Sequence, residues 1–284
     1  MADAIVARAA EFIWQQARLL ERRRFHYLFG GGGRDEVLAV LYAYQNPDGG
    51  FGNALVPDLR IPASHPIAAE MALRVLAELG GNALIIFRLC SYLERIAQES
   101  GAVMAVQESG NAFGAAPWVI ESEAGDLYPT GALVGWLYVN GARHTWLERA
   151  TAFCWRALEG GLSGPESFLA ALRFLNYVPD RERAQRAVQK IGEQLFACGA
   201  VTLQVSSRGN GHGPLEYAPH PASVARTLFT EEVIAQHLDA LEARQEVDGG
   251  WPIWWEPVSK ASELEWRGWL TLEALVTLRA YGRL

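Results

Sequence analysis

The chain has 284 residues, half of them hydrophobic, and a net charge of −7. That length and apolar content support a sizeable buried core, and the acidic balance excludes a general nucleic-acid binder with a basic face. Three scattered cysteines, Cys90, Cys154 and Cys198, with no C-x-x-C spacing, exclude a disulfide framework and a zinc knuckle.

Helical periodicity runs along most of the chain. The pattern predicts helices over 3–21, 34–45, 64–79, 83–98, 129–140, 143–158, 164–177, 180–197, 221–229, 231–245 and 262–281. The first segment carries Asp3, Arg8 and Glu11 where a secretion signal needs an apolar run, so a cytoplasmic location is expected. Arg22, Arg23 and Arg24 read as cations at the negative end of that first helix. Gly30 to Gly33 form a connector without the Gly-Lys-Ser/Thr ending of a phosphate loop. Pro66 and Pro129 suit first helical turns. Gly80, Gly81 and Gly141 suit helix ends, and Ser163 with Glu166 and Ser262 with Glu265 have capping-box spacing. Strand signals are few, and the best candidate is 201-VTLQV-205. No long linker divides the helices, which predicts a single all-α domain over 1–284.

One segment recurs. Residues 45-QNPDGGF-51 and 245-QEVDGGW-251 share Gln45 and Gln245, Asp48 and Asp248, Gly49 with Gly50 and Gly249 with Gly250, then an aromatic, Phe51 or Trp251. The preceding helices match too, 38-LAVLYAYQ-45 against 238-LDALEARQ-245. Weaker copies are 107-QESGNAFG-114, 158-LEGGLSG-164 and 204-QVSSRGNGHG-213. The period of roughly 50 residues is a helix-pair repeat, with room for about six pairs. In each joint the Gln amide is expected to satisfy the end of a helix, Asp to bond the local backbone, and Gly-Gly to reverse the chain.

The pattern Q-x-x-D-G-G-[FW] resembles the QW motif of the terpenoid cyclase and protein prenyltransferase superfamily. That resemblance implies an α/α toroid, inner and outer rings of helices tied together by these joints. It also implies a small hydrophobic, isoprenoid-like substrate in a central cavity, cyclised or isomerised after protonation. The superfamily's catalytic signatures are absent: no D-x-D-D, no D-D-x-x-D, and no Asp two residues before a cysteine, since Arg88, Ala152 and Phe196 hold those places. The 196-FACGAVTLQ-204 stretch does not reproduce the thioester motif of complement-type toroids.

Polar connectors follow the joints: 53-NALVPDLRIPASHP-66, 115-AAPWVIESEAGDLYPT-130, 214-PLEYAPHPAS-223 and 252-PIWWEPVSKASE-263. Each places an acid just past the turn, Asp58, Glu121, Glu216 or Glu256, the candidate proton donors if burial in an apolar cavity raises their pKa values. Trp118, Tyr128, Tyr217, Trp254 and Trp255 are the candidate aromatic wall, joined by Arg60, His65, His220 and Lys260. The histidines have no metal-ligand spacing, so neither metal nor cofactor is expected. A small hydrophobic molecule is the expected partner, with a protein partner or a second copy also open, and neither nucleic acid nor a membrane span. Two other functions stay open at this point, because one architecture serves many. They are a non-catalytic binding or assembly toroid, and a carbohydrate-processing toroid with paired acids and stacking tryptophans.

Overall fold

A computed structural model describes residues 2–105, 127–205 and 212–284. The described residues are all-α, with no named strand among them. No helix among them is long and apolar enough to cross a membrane. Where the sequence suggests one domain, the chain falls into two compact units: Met1–Leu41 with Val201–Leu284, and Tyr42–Ala200.

Unit 1 contains α1 (Ala2–Gln16), α2 (Leu19–Phe29) and α3 (Arg34–Tyr42), the last reaching the unit boundary. Its second segment adds the one-turn α10 (Pro214–Tyr217), a 3₁₀ turn (Val224–Leu228), α11 (Glu231–Ala243) and α12 (Lys260–Ala280). Helix α12 packs on α1, α2 and α11 around Phe12, Ile13, Leu20, Trp269, Leu272 and Leu275.

The expected helix 3–21 is broken. Arg18 is extended (φ −64°, ψ 163°), its guanidinium grips the Glu21 carboxylate at 2.7 and 2.9 Å, and Arg22 donates to the Ala17 carbonyl at 2.8 Å. The Arg22 bond satisfies a carbonyl at the end of the first helix, and the charged bonds together fix the corner between the two. Arg22 to Arg24 therefore lie inside α2 and do not end a helix, and Arg24 is fully buried. The strand candidate at 201–205 makes one isolated bridge, Val201 with His212. The segment expected as helix 221–229 is the short 3₁₀ turn.

Unit 2 contains α4 (Pro66–Glu78), α5 (Ala83–Ile96), α6 (Thr130–Val139), α7 (Thr145–Gly160), α8 (Gly164–Tyr177) and α9 (Arg181–Ala197). Helix α6 is buried along most of its length and packs between α4 and α8, while α5 lies against α7. Helix starts are specified by side chains: His65 for α4, Asn82 for α5, His144 for α7 and Asp180 for α9 each accept a first-turn N–H. Neither expected capping box forms. Ser163 makes no side-chain cap bond, and α12 starts earlier, on Ser259.

The recurring motif is one hydrogen-bonded joint. In the first copy Asn46 N–H reaches the Gly50 carbonyl (2.9 Å), Gly49 N–H the Asn46 carbonyl (2.9 Å), and Gly50 N–H the Asp48 carboxylate (2.9 Å). The copy at Glu246–Gly250 repeats these bonds at 2.9, 2.9 and 3.1 Å. Gln45 and Gln245 each donate to the carbonyl of the first motif glycine at 3.0 Å, so their amides satisfy the turn; Gln245 also donates to Ile5 of α1 at 2.9 Å. Only the first glycine of each pair needs the left-handed region (φ 92° and 90°). A side chain there would also collide with a helix carbonyl, that of Arg88 in α5 or of Arg8 in α1.

A third joint, absent from the sequence alignment, has the same wiring. Gln98 N–H reaches Ala102 O (2.8 Å), Gly101 N–H reaches Gln98 O (2.9 Å), and Ala102 N–H reaches the Ser100 hydroxyl (3.3 Å). Gly101 has φ 90° and presses on the Arg149–Ala150 peptide of α7, where Trp146 donates to its carbonyl at 3.1 Å. The weaker copy that the sequence suggests at 107–114 lies outside the described residues. Each joint ends one helix and seats on the backbone of another: α3's on α5, α5's on α7, and α11's on α1.

Candidate functional site

In unit 2, two glycines on α6 decide what can approach it. A Cβ on Gly131 would stand 3.0 Å from the Ala170 carbonyl, and one on Gly135 would stand 2.5 Å from the Arg173 carbonyl. Only glycine lets α8 come this close. The close approach brings the Arg173 guanidinium to 4.3 Å from the centroid of the next residue, Trp136. Arg74, on α4, stands 6.0 Å from the same ring, and Tyr177 of α8 packs against it at 5.7 Å. Asn140 ties the end of α6 to α4 by donating to the Leu73 carbonyl at 3.0 Å.

Glu70 completes the group, one turn before Arg74 on α4. Burial pushes its carboxyl up from the ordinary 4.5, and Arg74, Arg173 and the Trp136 indole N–H oppose that rise only in part. Among the described residues the indole N–H has no partner of full hydrogen-bond geometry. Tyr128 sits in the field of Glu70 and Glu166, and burial first, then those acids, hold its phenol well above the usual range. Partly exposed residues recur at helical spacing on α4 (Ile67, Glu70, Arg74, Glu78) and on α8 (Leu169, Arg173, Tyr177), with Glu166 exposed at the same spacing. The otherwise apolar α4–α6–α8 layer thus carries an acid, two guanidinium groups and three aromatic rings along a band that reaches solvent.

Unit 1 contains a related arrangement. The triplet G-W-L of 135–137 recurs at 268–270. Gly268 admits Ala17 and Glu21 at the α2 corner, and Arg24 of α2 stacks on Trp269 at 4.1 Å. Here Glu21, Arg24 and Trp269 are 0–1% exposed, and Arg24 donates to Glu273 at 3.4 Å.

The residues singled out by sequence are distributed as follows. Asp58 is buried (1% exposed) in a connector whose Asn53 and Ala54 both take left-handed φ, 55° and 61°. Two adjacent non-glycine residues in that region carry strain held by their surroundings, here the buried Leu55, Val56 and Leu59. Arg60 is partly exposed and donates to the Pro57 carbonyl at 3.4 Å. His65 is fully buried; its Nδ1 accepts the Ile67 N–H at 3.3 Å, its Nε2 has no partner among the described residues, and burial lowers its pKa to about 4. Tyr128 joins the Glu70 group.

Glu121 and Trp118 lie outside the described residues. Glu216 accepts the Gly213 N–H at 2.9 Å, which makes it a helix cap, and Glu256 is exposed, so the burial expected of a cavity acid is missing there. Tyr217 is buried edge-on to His212 at 5.9 Å. Trp254 is 49% exposed, edge-on to Trp255, which is edge-on to Trp266 (5.0 and 5.3 Å). His220 is exposed with Nδ1 accepting the Ala222 N–H, and Lys260 pairs with Glu263 at 2.8 Å on the surface. Asp48 and Asp248 hold turns. Asp48 accepts from Ser64 at 2.7 Å, and Asp248 accepts from Arg267 at 2.7 Å, a bond that keeps its carboxyl below the usual range.

Glu70, Arg74, Arg173 and Trp136 are not among the sequence candidates. The available signals were a Glu-Arg pair at i,i+4 within the apolar 66-PIAAEMALRVLAE-78, and the repeated G-W-L. Compared with known proteins, the sequence matches no family model and no curated protein. Among the described residues, no cluster of three or more His, Cys, Asp or Glu side chains is arranged to hold a metal ion.

Proposed function

We propose that the chain binds and transforms a small, partly apolar molecule on the α4–α6–α8 layer, with Glu70 as the proton donor and Trp136, Tyr128 and Tyr177 as the aromatic wall. The observation that carries this reading is the Glu70 carboxyl, held toward its acid form on an accessible stripe of α4 beside an indole ring. An acid whose pKa is raised holds its proton to higher pH than an ordinary carboxyl, which favours its delivery to a substrate.

The neighbouring arginines refine the substrate class. A carbocation ~6 Å from one guanidinium meets about 3 kcal/mol of repulsion at an effective dielectric of ~20. Two such charges disfavour protonation of a bare hydrocarbon here and favour a substrate with a negative or strongly polar group. An isoprenoid with an anionic head meets both demands of the site, aromatic and charged.

The test is product formation, followed by mass spectrometry, from farnesyl diphosphate, squalene and a neutral oligosaccharide, with the wild type and Glu70→Gln. Turnover of the diphosphate alone, lost in the folded variant, is the expected result. Unchanged product from Glu70→Gln, or turnover confined to squalene or the oligosaccharide, overturns the assignment. A second readout tests the acid itself. The folded chain holds the Glu70 proton more tightly than the unfolded chain. Its contribution to stability is therefore full below pH 4.5 and is lost as pH rises through the folded pKa. Glu70→Gln should remove that slope.

A further inference from the structure

Three joints press a glycine on a helix backbone, and the turn that closes α7 does not. Gly161, which follows α7, takes the same left-handed φ, 93°, as Gly49, Gly101 and Gly249 at 92°, 90° and 90°. The seats run from α3's joint to α5 and from α5's joint to α7, so α9 is the next helix in that order. Yet a Cβ on Gly161 would meet nothing within 4 Å, where those on the other three would meet a helix peptide at 2.0 to 2.6 Å. In place of a seat there is an open cavity of about 550 Å³ between this turn, α8 and the last turn of α9. That volume falls within the roughly 300–1,000 Å³ of small-molecule sites. Leu162, Phe168 and Ala197 supply apolar wall, and Gln194 and Cys198 supply polar groups. None of the lining residues is charged, which disfavours an ion, since nothing there would repay its lost hydration. Gln194 Oε1 is buried with no hydrogen-bond partner among the described residues, an acceptor left unmade at a cost to the fold. The Gln194 side chain is only half-buried, so its amide can turn that oxygen into the cavity without breaking a bond to it.

We propose that this cavity binds a small uncharged molecule, its apolar body against Leu162 and Phe168 and one N–H or O–H donated to Gln194 Oε1. The cavity shares no lining residue with the Glu70 group, so this site stands or falls independently of the reading given for that group. Cys198, exposed at the end of α9, reports on it, because the other two thiols, Cys90 and Cys154, are buried.

Alkylation of Cys198 by iodoacetamide in the folded full chain, followed by peptide mass spectrometry, tests this. Indole is the probe, and 1-methylindole, which has no N–H, is its control. Indole should slow the alkylation saturably, by about fivefold or more, and 1-methylindole should need roughly tenfold more for the same protection, having no donor for Gln194. Gly160 lines the cavity outside the left-handed region, and a Cβ there would meet nothing within 4 Å. Gly160→Phe should therefore fold normally and fill the cavity, leaving Cys198 to react at a rate indifferent to indole. In Gln194→Leu the two probes should protect equally, and urea unfolding should show no loss of stability, since the variant removes an acceptor that has no partner. Circular dichroism checks that each variant folds; if Gly160→Phe does not, Ala197→Leu on the facing wall carries the comparison. Absence of saturable protection in the wild type, equal protection there by the two indoles, or protection that persists in the filled variant overturns the site. A preference for indole that survives in Gln194→Leu overturns the role given to Gln194.

Discussion

The two G-W-L helices use one device in two ways. In both, a glycine admits a neighbouring helix and an arginine from that helix lies on the tryptophan face, at 4.1 Å in unit 1 and 4.3 Å in unit 2. Around Trp269 the arrangement is sealed: Arg24 and Glu21 are fully buried. Around Trp136 the arginine and its acid reach solvent. Burying a charge with its partners makes it part of the core, and removing one partner then strands another. Leaving it at the surface of a polar band makes it a smaller part of the fold, because exposed charges contribute little to folding. The same local sequence therefore specifies structure in one unit and a candidate site in the other.

The largest expected effect separates the two arginines. Arg24→Gln should destabilise the chain by about 3–5 kcal/mol, since it breaks a buried charge network and removes the stack on Trp269. Arg173→Gln should cost only about 1 kcal/mol, the size of a partly exposed cation–π contact. Urea unfolding of both variants measures the difference. Equal losses would erase the distinction between a sealed and an open site.

Acid should distinguish the units next. His65, in unit 2, is buried neutral with its pKa lowered from 6.5 to about 4. The folded state excludes a proton that the unfolded state accepts. The stability contribution is therefore whole above pH 6.5 and is lost as pH falls toward 4, by about 3 kcal/mol in all. In unit 1, Asp248 has its pKa lowered from 3.8, chiefly by its bond to Arg267. Its contribution is present above pH 3.8 and is lost only as pH falls through the lower folded value. Hydrogen exchange followed by mass spectrometry should show the peptides around 45–66 losing protection first between pH 6.5 and 4, with those around 245–251 following at lower pH. His65→Asn, which can still accept the Ile67 N–H, should flatten the first transition. Simultaneous loss in both regions would show that the units unfold together and that His65 does not set the order.

How much of this was legible in the sequence depends on whether a feature is local. The joints at Gln45–Phe51 and Gln245–Trp251 were legible because Asp-Gly-Gly encodes a turn within a few residues. The joint at Gln98–Ala102 was missed for a physical reason. Ser100 replaces the carboxylate and Ala102 the second glycine, so the hydrogen bonds survive while the letters do not. The tetrapeptide QESG occurs at both 98–101 and 107–110, and letter matching favours the second copy. The break at Ala17–Arg18 was invisible to periodicity because apolar spacing continues across it. Arg173 could not be joined to the Glu70–Arg74 pair from sequence, since two helices far apart in the chain bring them together and glycine spacing on a third, α6, sets the distance. Acids in connectors attracted attention by their positions after the joints, yet Glu216 caps a turn and Glu256 is exposed.

The smallest effects compare the joints themselves. All three share one backbone scheme, but the side chain that holds Gly50, Gly250 or Ala102 differs in its support. Asp248 receives a charged bond from Arg267, Asp48 a neutral one from Ser64, and Ser100 acts as a hydroxyl alone. Asp248 is about half exposed, which screens its ion pair, so Asp248→Asn should cost about 1 kcal/mol. Asp48→Asn keeps an acceptor for both Ser64 and Gly50 and should cost about 0.5 kcal/mol. Ser100→Ala removes a long bond of 3.3 Å and should cost no more than that. Chemical denaturation resolves these steps only as an ordered series, with Asp248→Asn first. A reversed order would mean that the joints are held mainly by their seating on Arg8, Arg88 and Arg149, where the glycine lies against backbone, and that the acid in the motif contributes little beyond the turn.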